Sequence, residues 1–177
     1  MCLALYLAGS QELPVIPWNE SNPAFHVIRL PKNAEAVQKQ FRFKYVYYVG
    51  TTQGCSCAFN YEHEYDSIVE LRDYLKNALI CVEELELFSC QVGSEGMDRQ
   101  HSGKVSPPGI ALAEFLFKDG LYLVVNRGKN FDQATEAEKC LKRVTQSAGI
   151  LKNKNCLRLL SAKTGMIVQL PLFAGAE

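Results

Sequence analysis

The chain reads as an α+β domain, a mixed or antiparallel sheet with about three helices packed on it. Three observations lead there. Short apolar runs of strand length recur between Gly- and Pro-rich turns, the segment after Ser67 carries apolar residues at helical spacing, and the strands outnumber the helices without alternating with them. The 177 residues are read as a single domain, 1-177, with a long polar loop at 93-109.

Taken in order, Cys2 to Ala8 is an apolar run of strand length, and Gly9 to Pro23 is a loop in which Pro14, Pro17 and Pro23 surround Trp18, the only tryptophan. Trp18 in that setting plugs the edge of a core, or else offers an aromatic platform to a ligand. Phe25 to Ile28 alternate as a second strand that Pro31 ends. A helix is expected from Ala34 to Phe41 with Asn33 as its N-cap. Lys44 to Gly50, KYVYYVG, is apolar or aromatic on both faces and fits a central strand. A short strand from Cys57 to Tyr61 precedes the clearest helix, in which Ser67 and Glu70 make a capping-box pattern ahead of Ile68, Leu71, Leu75, Leu79 and Val82.

Leu85 to Val92 is another strand. Gly93 to Gly109 is then polar and glycine-rich and ends in Pro107 and Pro108, a loop long enough to be a lid or a mobile insertion. Ile110 to Lys118 and Leu121 to Arg127 flank Asp119 and Gly120, a pair that favours a type I′ hairpin. A third helix is expected from Gln133 to Ala148, capped by Thr135 and Glu138, and two closing strands at Leu157 to Ser161 and Met166 to Leu170.

Composition narrows the function. Lys plus Arg and Asp plus Glu both total 19, so no net field draws phosphate backbones or anionic lipid; nucleic acid and membrane are excluded as partners. A small molecule or a protein remains. MCLALYLAG lacks a basic n-region and no window is long enough to span a bilayer. Seven cysteines at irregular spacing indicate free thiols and a cytoplasmic, reducing setting.

VGTTQGCSCAF, Val49 to Phe59, holds the one chemically suggestive pattern, a CxC motif after a glycine-rich turn. In an extended segment Cys55 and Cys57 share a face with their α-carbons about 6.5 to 7 Å apart, at the limit for a disulfide. They are candidates for a nucleophilic or redox thiol site, with His63 or His101 as base and the 93-109 loop as cover. They are equally candidates for a metal site, with His63 as third ligand to a zinc ion. Against both stands a structural role, two small hydrophobes in a turn. Gly50 and Gly54, with Thr51 to Gln53, allow amides to turn toward an anion, but without a lysine or Walker spacing a nucleotide site is a poor reading. His26, among apolar neighbours, reads as a core or edge residue. Cys2 would become an N-terminal nucleophile only if Met1 were removed, and LALYLAG lacks the glycine that usually follows one.

MCLALYLA, ELPVIPW and YVYYVGTTQGCSCAF together resemble a family of bacterial proteins, over roughly the first third of the chain. The resemblance implies a bacterial cytoplasmic protein in which the paired cysteines recur. It carries no activity, so no functional residue comes from it. The sequence therefore leads first to a binding or interaction domain, in which Trp18, Tyr45, Tyr47 and Tyr48 supply packing or a recognition surface. The alternative is a thiol-dependent redox, nucleophilic or metal site at Cys55 and Cys57.

Overall fold

In the computed structural model, residues 2–19, 25–51, 55–60, 65–110 and 117–128 are described, all within a unit spanning Met1–Phe131. Expectations that fall on 111–116 or 129–177, including the third helix and the two closing strands, lie outside the described residues. The fold is α+β. Six strands form one mixed sheet: β1 (Leu3–Gly9), β2 (His26–Arg29), β3 (Tyr45–Gly50), β4 (Glu84–Gln91), β5 (His101–Val105) and β6 (Leu121–Asn126), in the order β2-β3-β1-β4-β6-β5. All neighbours are antiparallel except β5 and β6, which run parallel. Among the described residues three helices accompany it, α1 (Glu35–Gln38), α2 (Tyr65–Cys81) and α3 (Pro107–Ile110).

Period-two alternation divides the strands between two apolar layers. On one face Leu5, Leu7, Val27, Tyr47, Val49, Leu85, Leu87, Leu123 and Val125 pack with Leu71, Leu75, Leu79 and Val82, the stripe expected for α2. On the other, Ala4, Tyr6, Ala8, Val46, Phe88, Cys90 and Tyr122 meet Val37, Leu30, Phe41 and Phe43. Register sets an aromatic row across this second face: Tyr48 opposite Tyr6, Tyr6 opposite Phe88, Phe88 opposite Tyr122. It also holds one buried charge. The Glu86 carboxylate is fully buried and is satisfied by the Arg42 backbone N–H at 2.9 Å and by the Arg42 guanidinium, which also reaches Glu84 at 2.8 Å. A buried carboxylate is tolerable only with such partners.

Several expected elements differ. α1 is one turn, with Ala34 at its N-cap and no side-chain cap, and it tightens into i to i+3 bonds from Gln40 N–H to Val37 and from Phe41 N–H to Gln38. α2 starts two residues before Ser67, so Ser67 is its third residue and not its N-cap. Cys57–Asn60 is a 3₁₀ turn and not a strand.

The 93-109 segment is not a structureless loop. It contains β5 and α3, the second starting on the two prolines, whose missing N–H groups cost nothing in a first turn. Nor does Leu121–Asn126 make a hairpin with the residues before Asp119. β6 pairs with β4 on one side and β5 on the other over the same residues, so neither edge is left. The expected turn survives locally, with Gly120 at φ +67 and Leu121 N–H bonded to Lys118.

Candidate functional site

Ser56 explains how the CSC stretch is placed. It is fully buried, its hydroxyl donates to the Val49 carbonyl at 2.6 Å and accepts from the Leu5 N–H at 3.0 Å, and its own N–H reaches the Leu3 carbonyl at 3.2 Å. Leu5 and Val49 are register partners at the end of the β1–β3 ladder, so a side chain continues the sheet where the strands part. Upstream, the Thr51 N–H and hydroxyl both bond the Cys55 carbonyl, at 2.6 and 2.7 Å, closing the loop on itself. With the middle residue held inward, Cys55 and Cys57 on either side are left half-buried. They stand around a bend instead of along an extended strand.

Three thiols gather near one hydroxyl. Cys57 Sγ accepts the Leu3 N–H at 3.2 Å, and Cys2, exposed, is the residue before Leu3. The Tyr48 hydroxyl is pushed up, chiefly by burial and further by the neighbouring Cys55, Cys57 and Cys2; its contact with Ser56 at 3.4 Å pulls the other way. Cys90, on β4, is buried, and burial with Glu95 and Asp119 nearby pushes its thiol up to about 12. Among the described residues no group of three His, Cys, Asp or Glu side chains is arranged to hold a metal ion.

His63 lies outside the described residues. His101 is on β5, three strand spacings from β1, or about 14 Å at about 4.8 Å per spacing; the fold does not bring it to the thiols. His26 is nearer. It is 2 % exposed, its ring lies 5.7 Å from that of Tyr48, and its Nδ1 has no hydrogen-bond partner. Burial lowers its pKa. It fits only because its β3 partner is Gly50: a β-carbon there would stand 2.1 Å from the imidazole Cε1.

The aromatic residues expected to supply packing or a recognition surface are divided. Tyr47 is buried toward α2 with its hydroxyl accepting the Leu13 N–H at 2.8 Å, Tyr48 faces the other layer, and Tyr45 stacks with the Arg29 and Lys44 cations. Trp18, 43 % exposed, does not plug a core edge. Cys81, at the end of α2, is disulfide-bonded, so the expectation of free thiols fails for that residue.

A cleft of ≈ 330 Å³ lies between the α1 region and the sheet, lined by Tyr6, Leu30, Ala34, Val37, Glu35 and Glu95 among others. The Tyr6 hydroxyl donates to Glu95 Oε1 at 3.1 Å, and Gly93 N–H bonds the same oxygen. The segment carrying Glu95 is pinned across the second face: Gln40 donates to the carbonyls of Glu95 and Met97 at 3.0 and 2.8 Å, and Arg99 lies 3.7 Å over the Tyr122 ring. Part of the polar stretch thus lies against Tyr6 and Tyr122. Tyr6 and Glu95, 89 residues apart, carry no sequence signal of their pairing beyond the register that sets Tyr6 beside Tyr48.

No family model, curated protein or solved structure matches this chain. Among the described residues no helix is long and apolar enough to cross a membrane.

Proposed function

We propose that this chain is a noncatalytic binding domain and that its ligand occupies the cleft at Tyr6 and Glu95. One observation carries the reading: a concavity of ≈ 330 Å³ with apolar walls from Leu30, Ala34 and Val37 and two carboxylates, Glu35 and Glu95, in its lining. That is the size and character of a small-molecule site, mostly apolar with a few placed polar groups. Among the described residues no Lys, Arg or His lines it, so the complementary ligand has a short apolar body and a cationic end, as an alkylammonium or a basic peptide side chain does.

The test is NMR titration of the intact chain with n-butylammonium and, as the charge-opposed probe, n-butyrate. The reading expects saturable shifts at Tyr6, Val37 and Glu95 with the cation alone, weakened roughly tenfold by Glu95→Gln, the loss typical of a charge-assisted contact. Equal responses to both probes, or none, would overturn it.

A second reading, a thiol-dependent site, is favoured by the convergence of Cys2, Cys55 and Cys57 on Tyr48. Cys55→Ser and Cys57→Ser then abolish whatever activity or modification the protein carries without loss of folding, whereas a purely structural pair leaves behaviour unchanged.

A further inference from the structure

We infer that Cys2 and Cys57 form an oxidation-dependent disulfide, a modification site that ties the first residue before β1 to the 3₁₀ turn; the inference rests on the thiol reading above. Cys57 Sγ lies 3.2 Å from the Leu3 nitrogen. That nitrogen is two covalent bonds, of about 1.3 and 1.5 Å, from the Cys2 α-carbon, so the sulfur is within about 6 Å of that carbon. A disulfide brings the two sulfurs to about 2 Å, so this bound leaves a few ångströms for the Cys2 side chain to close. Cys2 is exposed and both thiols are free, so rotation of its side chain supplies the remaining approach.

The other pairings are worse. Joining Cys55 to Cys57 needs the backbone to fold tightly at Ser56, where three hydrogen bonds, to Leu3, Leu5 and Val49, hold it in place. Cys90 is 1 % exposed, and its raised thiol leaves little thiolate to react. Cys2 and Cys57 are thus the pair in which one partner is accessible to an oxidant and the other is held by a main-chain contact beside it.

The co-reactant is a low-molecular-weight disulfide such as oxidised glutathione. The Cys2 thiol loses its proton to solvent and its sulfur attacks the disulfide, forming a mixed disulfide and releasing one thiolate, which takes up a proton. The Cys57 sulfur, likewise deprotonated, attacks the Cys2 sulfur and displaces the second thiol. The protein loses two protons and two electrons, and the small disulfide takes them up to become two thiols.

The experiment is incubation of the intact chain with oxidised glutathione, then peptide mapping by mass spectrometry without reductant. The expected result is a cross-linked pair containing Cys2 and the Cys55–Cys57 peptide, lighter by two hydrogens. It is retained in Cys55→Ser and falls by roughly tenfold or more in Cys57→Ser and Cys2→Ser, where no intramolecular thiol of high effective concentration remains. A cross-link that survives Cys57→Ser but not Cys55→Ser overturns the pairing. So does a Cys55–Cys57 ring, or a stable glutathione adduct on Cys2, although both leave the thiol reading standing. No reaction at any of the three cysteines overturns both. Urea midpoints of the serine variants check that each is folded; should Cys57→Ser fail to fold, Cys55→Ser decides the matter, because a cross-link to that peptide which it retains can join Cys2 only to Cys57.

Discussion

Replacing Ser56 with alanine removes one hydroxyl and leaves two main-chain groups without their partner, the Leu5 N–H and the Val49 carbonyl. Ser56 is fully buried, so water does not enter to replace it without opening the strands. An unsatisfied buried donor or acceptor costs about 1–3 kcal/mol. The carbonyl keeps a second lone pair, so the sum falls at about 2–4 kcal/mol, a large part of a total stability on the order of 5–15 kcal/mol. In a chain of this size that lowers the melting temperature by roughly 4–16 °C. Urea denaturation followed by far-UV circular dichroism measures it, with an unchanged m-value as the sign that only stability moved. A loss below about 1 kcal/mol would refute the reasoning: Leu5 and Val49 would then have closed on each other, and Ser56 would not be what seats the two cysteines.

Two further perturbations probe the same face. Gly50→Ala drives a β-carbon into the His26 imidazole and is expected to cost about 3 kcal/mol in urea; Gly96→Ala, where nothing stands within 4 Å of the added carbon, changes stability by less than about 0.5 kcal/mol. For His26 the folded-state pKa is below its unfolded value of 6.5. The unfolded chain therefore takes up a proton that the native ring resists. Stability is full above that pH and declines as pH falls below it, with a slope of at most about 1.4 kcal/mol per unit. Urea midpoints at pH 7.5, 6 and 5 measure the slope, and its persistence in His26→Leu would place the titration elsewhere.

What the sequence makes legible follows from where hydrophobic free energy dominates. β1, β3, β4 and α2 bury continuous or strictly periodic apolar residues, so their pattern identifies them to within a residue or two. β5 does not: HSGKV is mostly exposed, and the parallel pairing that makes it a strand is supplied by β6, sixteen or more residues later. The hairpin expectation failed for the same reason, because a local turn preference at Asp119 and Gly120 was outweighed by two long-range ladders. At the CSC stretch an extended reading of the CxC spacing gives way to a bend followed by a 3₁₀ turn. Its geometry depends on Ser56 bonding to Leu5 and Val49, and the serine carries no periodicity to reveal that.

The placement of His101 has a meaning apart from chemistry. Among the described residues β5 ends the sheet order, and an outermost strand presents a row of main-chain donors and acceptors onto which another chain can add. Here that strand is five residues long, with His101, Ser102 and Lys104 exposed. Short length and a charged side chain discourage such addition. At the opposite end β2 is guarded differently, by the isolated bridge from Ile16 to Val27 and the Arg29–Glu12 ion pair at 2.8 Å. The polarity that hides β5 from a hydrophobicity reading is therefore also what protects the sheet from growing into its neighbours.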